Sequence, residues 1–220
     1  MELFLDTNIL VGYVFKTDML NFQSVYVINS RFDKYSSCNV KRELKNVCKG
    51  KVNIAKSDMD EILIKLSRKK AAVDHKKLMS ILNKHYLKPS ITTLWDAKLS
   101  TRDPRILSNE LRGIIRTFNI EYRRNISLVD GCITFVNRGN ERYDDVCLKL
   151  KETGLKRSNS ADFEIMLDAH HVGLTKSNDL HFITADWEDI VKRKDAIVAC
   201  TSLKNIILLK EFSNYCKMRS

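Results

Sequence analysis

The sequence predicts an α/β domain in which a parallel sheet is flanked by helices in a three-layer arrangement. Two short apolar runs, at residues 2–5 and 181–185, have the length and composition of fully buried strands. Segments in which apolar residues recur at helical spacing lie between them. Because strands that alternate with helices along a chain form parallel sheets, this order favours the α/β class.

The length of 220 residues fits a single domain, and the apolar fraction of 44% is enough for a proper core. Within that domain we expect residues 57–126 to form a mainly helical insertion or subdomain. The insertion is basic, with 15 Lys and Arg against 8 Asp and Glu. It therefore carries +7 of the chain's net charge of +11.

The excess of positive charge favours a polyanionic partner such as nucleic acid, although a solvated basic surface would have the same composition. The six cysteines are scattered without a C-x-x-C pair, so we do not expect structural zinc. No signal peptide and no apolar run of membrane-spanning length is evident. We therefore expect a cytoplasmic protein in a reducing compartment, without a membrane partner.

The first half of the chain begins with the strand at 2–5, and the polar trio Asp6-Thr7-Asn8 can cap a helix directly after it. Residues 22–28 are compatible with either a helix or a strand. Ser36 or Ser37 can cap a further helix, which we expect to run to about Cys48 and to stop at Gly50.

The central part of the chain is mainly helical. A helical pattern runs from about residue 57 to 87, and Asp103-Pro104 predicts the start of another helix with proline at its first position. Residues 126–136 are apolar and fit either strand or helix. Residues 141–152 look helical and should stop at Gly154.

The last third is predicted to contain a helix, two strands and a final helix. The first helix starts near Ser160 and should bury Ile165, Met166, Ala169 and Val172. The strand at 181–185 follows. Residues 196–200 are predicted to be a short strand, and 202–213 an amphipathic helix.

Four separated carboxylates lie at positions where a charge is unfavourable unless something neutralises it. Asp6 and Asp186 each close an apolar strand, while Glu43 and Asp162 lie beside the buried faces of two helices. Ligands of parallel α/β folds bind at the carboxyl ends of the strands, where these acids could meet. Clustered carboxylates repel one another unless a cation such as Mg²⁺ or Mn²⁺, which prefers oxygen ligands, binds between them. The sequence therefore predicts a divalent-cation site.

The segments around these acids resemble the four acidic motifs of PIN domains, a family of metal-dependent ribonucleases. Leu3-Phe4-Leu5-Asp6-Thr7-Asn8-Ile9-Leu10 looks like the first and most specific motif, and Val40 to Leu44 looks like the second. Ser160 to Ile165 with Ala169 resembles the third, and Phe182 to Asp186 the fourth. The resemblance covers roughly residues 1–50 and 126–213, in the family's order.

The resemblance implies a PIN-like sheet and Mg²⁺- or Mn²⁺-dependent endonucleolytic hydrolysis of RNA. By this analogy Asp6, Glu43, Asp162 and Asp186 are the metal-binding, catalytic acids. The resemblance also implies supporting roles. Thr7 or Asn8 would orient Asp6 and a substrate phosphate, Ser160 would cap its helix, and Thr184 would support Asp186.

The insertion at 57–126 is larger than a compact PIN-domain toxin needs, which suggests an arm for RNA, for a homodimer, or for a protein inhibitor or complex partner. Basic side chains are the candidates for phosphate contact. Those nearest the acids are Lys41 and Arg42, which should overhang the cleft; those of the insertion are Arg68, Lys69 and Lys70.

Two other functions compete with a ribonuclease. A catalytically silent RNA-binding or scaffold protein could have the same fold. A haloacid-dehalogenase-type phosphatase also starts with a strand that ends in Asp, but it needs a second acid two residues later, where this chain has Asn8.

Other titratable residues are better explained without a site. Asp168, Glu188 and Asp189 should be solvated, with Asp189 conceivable as an outer acid, and His170, His171 and His181 should not share a zinc ion.

Overall fold

The computed structural model describes residues 1–16, 18–67, 80, 104–155, 160–176 and 178–217. Within these ranges, five parallel strands form one sheet in the order β3-β2-β1-β4-β5. The strands are β1 (Glu2–Leu5), β2 (Asp33–Ser37), β3 (Thr134–Val136), β4 (Leu180–Thr184) and β5 (Asn205–Leu208). The α/β class and the parallel sheet that the sequence predicts are confirmed.

Helices connect the strands and flank the sheet. They are α1 (Thr7–Val14), α2 (Asn21–Ile28), α3 (Cys38–Ser67), α4 (Pro104–Cys132), α5 (Asp144–Glu152), α6 (Ser160–Thr175), α7 (Lys194–Cys200) and α8 (Phe212–Lys217), with single 3₁₀ turns at Val191–Arg193 and Leu209–Glu211. In the part of the chain that the structure describes, no helix is both long and apolar enough to cross a membrane.

The two central strands, β1 and β4, form the middle of the core. Leu3, Phe4 and Leu5 are fully buried, and Phe4 lies opposite Phe182 of β4 with the two rings stacked at 5.4 Å. A continuous apolar run suits a strand whose two faces are both covered by helices. The chain passes from β1 to β2 and β3 on one side and continues with β4 and β5 on the other. The strand order therefore reverses between β1 and β4, where open α/β sheets form a crevice.

Strand β2 was not predicted, because its sequence Asp33-Lys34-Tyr35-Ser36-Ser37 is polar. Its backbone pairs with both β1 and β3, and the Ser36 hydroxyl donates a hydrogen bond to the Leu5 carbonyl at 2.8 Å. Residues 22–28, which the sequence left open, are helical.

Helix α3 begins at Cys38, and the Ser37 hydroxyl accepts a hydrogen bond from the Val40 amide, as a capping serine should. The predicted stop at Gly50 is wrong, because α3 continues to Ser67. Nothing lies within 4 Å of the place where a Cβ of Gly50 would be, and its φ lies outside the left-handed region that a helix-ending glycine uses. Gly50 is thus an ordinary helix-interior residue.

Part of the predicted insertion at 57–126 lies in the second half of α3 and in α4, which begins at Pro104 as expected. Helix α4 packs on α1: the Phe15 ring stacks on Phe118 and Tyr122, and the Asn125 amide donates to the Val14 carbonyl. The end of α4 therefore belongs to the core of the domain. Residues 68–79 and 81–103 lie outside the described ranges.

Residues 126–136, also left open by the sequence, begin as the end of α4 and finish as β3. The last two predicted elements are wrong. Residues 196–200 lie in α7, and the segment 202–213 contains β5, whose Ile206 and Ile207 pair with Phe182 and Ile183 of β4. A short apolar run has no period that separates a buried strand from a buried helix, and pairing with β4 decides this one.

Candidate metal centre

Asp6 follows directly after β1, and Asp186 comes two residues after β4, so both lie at the carboxyl ends of neighbouring strands. The backbone joins the two ends, because the Asp6 amide donates to the Ile183 carbonyl at 3.1 Å. This edge is also where the strand order reverses. The strongest ligand-binding position of the fold therefore carries acids from both central strands.

Asp6 is buried, with 4% of its surface exposed, and its carboxylate accepts three hydrogen bonds. Oδ1 accepts from the Thr7 amide at 2.7 Å. Oδ2 accepts from the Asn8 side-chain amide at 2.7 Å and from the Thr184 hydroxyl at 2.6 Å. These donors fix the carboxylate at the N-terminus of α1.

Asn8 and Thr184 extend this network to the end of β4. The Asn8 carbonyl oxygen accepts from the Ala185 amide at 3.0 Å, and the Thr184 hydroxyl oxygen accepts from the Asp186 amide at 2.9 Å. The predicted supporting residues therefore touch the acids: Asn8 and Thr184 bond Asp6 directly, and Thr184 holds the backbone of Asp186.

Glu43 is brought to the same place by α3. Its Oε2 accepts a hydrogen bond from the Thr7 hydroxyl at 2.6 Å. On α3, Val40, Leu44 and Cys48 are buried, and Glu43 lies half-buried beside that apolar face. Thr7 thus bonds two of the acids: its hydroxyl donates to Glu43 and its backbone amide donates to Asp6.

All four predicted acids line one open cavity of about 330 Å³. Its lining consists of Asp6, Thr7, Asn8, Val11, Asp18, Leu20, Glu43, Val47, Lys51, Asp162 and Asp186. Four sequence segments that are far apart along the chain therefore converge at one crevice.

Asp162 lies in the first turn of α6, whose residues Ile165, Met166, Ala169 and Val172 are buried as predicted. One carboxylate oxygen from each of Asp162, Asp186 and Asp189 lies within 4.8 Å of the others. The Asp189 amide also donates to Asp186 Oδ1 at 2.9 Å. Asp189, which the sequence treats as solvated or at most an outer acid, is thus a close neighbour of two predicted ligands.

The cavity makes its acids hard to ionise. Burial raises the pKa of Asp6 to about 7, and repulsion by Asp162 and Glu43 adds to this, while the hydrogen bonds from Thr184 and Thr7 act in the opposite direction. Burial likewise raises the pKa of Asp162 to about 6, and Asp186, Glu43 and Asp189 raise it further. Two carboxyl groups of the cavity are therefore partly protonated near neutral pH unless a positive charge joins them.

This donor set fits a hard divalent cation. All the candidate ligand atoms are carboxylate oxygens, the type that Mg²⁺ and Mn²⁺ prefer, and none of the described residues that line the cavity offers a sulfur ligand. Asp162, Asp186 and Asp189 are the closest trio, with Asp6 and Glu43 lining the same cavity.

The predicted phosphate contacts are only partly described. Lys41 forms an ion pair with Asp130 at 2.8 Å and lies over the Phe135 ring, and Arg42 bonds Asn39, so neither lines the cavity. Arg68, Lys69 and Lys70 lie outside the described residues. Of the described residues that line the cavity, the basic one is Lys51, which sequence reasoning missed. Its spacing of eight residues from Glu43, two helical turns on the same face, is the signal that could have found it.

The remaining sequence predictions for this region are mixed. Ser160 is the first residue of α6, and its side chain lies outside the described part. Asp168 is not solvated as predicted but 3% exposed, because it accepts hydrogen bonds from Arg138 Nε at 3.0 Å and from Asn39 at 2.8 Å.

His170 and His171 both pack against the ring of Tyr143, and His181 packs against Tyr215. His170 Nδ1 accepts from the Ser202 amide, His171 contacts the Tyr143 hydroxyl, and His181 contacts Asp179.

The chain has no significant match among protein-family models, curated proteins or solved structures. The site must therefore be interpreted from its own geometry.

Proposed function

We propose that this chain is a divalent-metal-dependent endoribonuclease of the PIN type, with Asp6, Glu43, Asp162 and Asp186 as the metal-binding acids. The observation that carries the proposal is the convergence of these four acids on one cavity at the reversal of the strand order. Structural acids have no reason to gather in this way, because each added carboxylate makes the others harder to ionise.

Bound Mg²⁺ or Mn²⁺ would offset the repulsion among the carboxylates and supply Lewis-acid activation for phosphodiester hydrolysis. The chain's own residues supply the positioning. Asn8 and Thr184 orient the buried Asp6 carboxylate, and the Thr7 hydroxyl holds Glu43. Asp189, next to Asp162 and Asp186, is placed to accept a proton or to add a ligand.

RNA is the proposed substrate class for two reasons. The net charge of +11 favours a polyanion, and the cavity is open to solvent, so that a strand can enter it. The resemblance of the four acidic segments to PIN motifs supports RNA over other phosphodiesters. A cytoplasmic location, a homodimer and a protein inhibitor stay predictions.

The phosphatase alternative is weakened by the contacts of Asn8. A general acid is required two residues after the first Asp, but the Asn8 amide is fully used in bonds to Asp6 Oδ2, Thr184 and the Ala185 amide. The silent scaffold alternative keeps the same fold and differs only in activity.

The test is cleavage of RNA by the purified protein with Mn²⁺ or Mg²⁺, compared with Asp6→Asn and Asp162→Asn variants. We expect both variants to lose Mn²⁺-dependent cleavage while RNA binding is kept or strengthened, because each loses a negative charge. Asp145→Asn, an exposed acid on α5, is the matched control and should cleave like the wild type.

Two outcomes would contradict the proposal. If the wild-type protein cleaves no RNA with either ion, the scaffold function is favoured. If both site variants cleave as well as the wild type, the acids have been assigned the wrong chemistry.

A further inference from the structure

Lys51 lies at the lip of the acidic cavity. Glu43, Val47 and Lys51 are spaced four residues apart on α3, so they form one face of the helix, and all three line the cavity. Among the described residues that line it, Lys51 is the basic one, against the carboxylates of Asp6, Asp18, Glu43, Asp162 and Asp186.

The ammonium group of Lys51 is held by two rigid partners. Its Nζ lies 3.1 Å from Asp18 Oδ2 and 5.6 Å from the centre of the Phe15 ring. Phe15 is buried, and the other Asp18 oxygen accepts a hydrogen bond from the Leu20 amide at 3.0 Å. Lys51 itself is 44% exposed, so its charge is positioned but still accessible to a ligand.

The carboxylates of this cavity repel the phosphates of an approaching RNA strand. A cation at the cavity rim is therefore needed in addition to any bound metal. Lys51 is the more exposed member of the pair, with 44% of its side chain accessible against 14% for Asp18. When a phosphate replaces Asp18 at Nζ, the Asp18 carboxylate keeps its hydrogen bond from the Leu20 amide. We propose that Lys51 binds a backbone phosphate of single-stranded RNA by exchanging its contact with Asp18, a role that rests on the proposed ribonuclease function.

The phosphate at Lys51 is a flanking one. Eight residues of helix separate Lys51 from Glu43, which corresponds to about 12 Å along the axis of α3. This is several times the roughly 3.4 Å that one stacked nucleotide spans along a strand. Lys51 therefore holds the strand beside the reacting phosphate, and it acts as a positioning residue for the substrate.

The alternative is that Lys51 and Asp18 form a purely structural ion pair. The two roles differ in the direction in which each variant should change RNA binding. Lys51→Gln and Asp18→Asn remove the same pair, so a structural role predicts that both change stability and RNA binding in the same direction. Asn at position 18 can still accept from the Leu20 amide, which keeps the local fold. A phosphate contact predicts opposite effects, because Lys51→Gln removes the cation while Asp18→Asn frees it.

The experiment measures binding of a short fluorescein-labelled RNA oligonucleotide by anisotropy across a salt series, in EDTA so that cleavage does not confound binding. We expect Lys51→Gln to weaken binding by about 3- to 10-fold and to reduce the salt slope by about 0.7, the value for one phosphate contact on a single strand. Asp18→Asn should tighten binding. Lys49→Gln, an exposed lysine on another face of α3, should have a smaller effect.

Binding that shifts in the same direction in both variants, or a Lys51→Gln effect no larger than that of Lys49→Gln, would overturn the proposal. So would a wild-type protein that binds no RNA. A wild-type protein that binds RNA through Lys51 but cleaves none with Mn²⁺ would instead contradict the ribonuclease function and leave the Lys51 contact standing.

Discussion

The Thr184 hydroxyl donates a hydrogen bond to Asp6 Oδ2 at 2.6 Å and accepts one from the Asp186 amide at 2.9 Å. One buried side chain therefore connects the acid after β1 with the acid after β4. Because β1 and β4 are neighbours in the sheet, this contact depends directly on their register, in which Leu5 lies opposite Ile183. The geometry of the two acids is thus set by the pairing of the central strands.

Thr184→Val should test this link. Valine keeps the shape of threonine but removes one of the two hydrogen bonds to Asp6 Oδ2, leaving the one from Asn8, and takes the acceptor away from the Asp186 amide. We therefore expect a loss of about 1–3 kcal/mol in the free energy of unfolding. Urea denaturation measures this loss. Thr184→Ser keeps the hydroxyl and should retain most of the stability, as well as any Mn²⁺ affinity that the valine variant loses. Equal stability of the valine variant and the wild type would show that the hydroxyl does not hold the site together.

The central part of this site could be predicted from sequence because it depends on local patterns. Asp6 and Asp186 each follow a continuous apolar run, and parallel strands place their carboxyl ends at one edge. Asp162 and Glu43 could be placed because their helices have clear buried faces. In each case the pattern of neighbouring residues identified the element, although the C-terminal end of α3 was predicted too early.

The features that were missed depend on contacts between distant segments. Strand β2 is polar and is defined by its pairing with β1 and β3, and β5 is a strand because it pairs with β4. Asp168 is buried because Arg138 and Asn39, from two other segments, bond it. For β2, β5 and Asp168, no local pattern carries this information. Lys51 was missed because α3 was predicted to stop at Gly50, although its spacing from Glu43 places it on the same helix face.

The contribution of Asp6 and Asp162 to the stability of the cation-free protein should fall as the pH rises from about 4 to about 7. In the unfolded chain Asp6 and Asp162 have the ordinary pKa of 3.8, whereas in the fold burial raises these values to about 7 and about 6. Between those values the folded state binds more protons than the unfolded state, so deprotonation destabilises it. The contribution is fully present below about pH 4 and is lost as the pH passes through the folded pKa values.

Mn²⁺ should reverse this trend, because it competes with protons for the same oxygens. We expect the rise in melting temperature on adding Mn²⁺ to be small near pH 5 and to increase toward pH 8. Asp162→Asn should weaken the pH dependence of the stability and that of the Mn²⁺ effect on the melting temperature. The exposed-acid variant Asp145→Asn should leave both unchanged. A Mn²⁺ effect that does not vary with pH would show that the ion binds elsewhere.

Gly50 and Gly173 provide a matched pair of helix-interior glycines with opposite surroundings. A Cβ at Gly50 of α3 meets nothing within 4 Å, whereas a Cβ at Gly173 of α6 would lie 2.3 Å from Ser202 Oγ and 3.0 Å from the Ser202 carbonyl oxygen. Gly50→Ala should therefore stabilise the protein by about 0.5–1 kcal/mol, through the lower entropy of the unfolded chain. Gly173→Ala should destabilise it by about 1–3 kcal/mol, since the backbone carbonyl of Ser202 cannot rotate away.

Urea unfolding of the two alanine variants measures both effects under one condition. The double change Gly173→Ala with Ser202→Ala removes the hydroxyl but leaves the carbonyl contact, so it should recover only part of the loss. A stabilising Gly173→Ala would mean that α6 and the segment after α7 are not packed this closely. A destabilising Gly50→Ala would mean that α3 is not a continuous helix through residue 50, and Lys51 would then have no fixed position at the cavity.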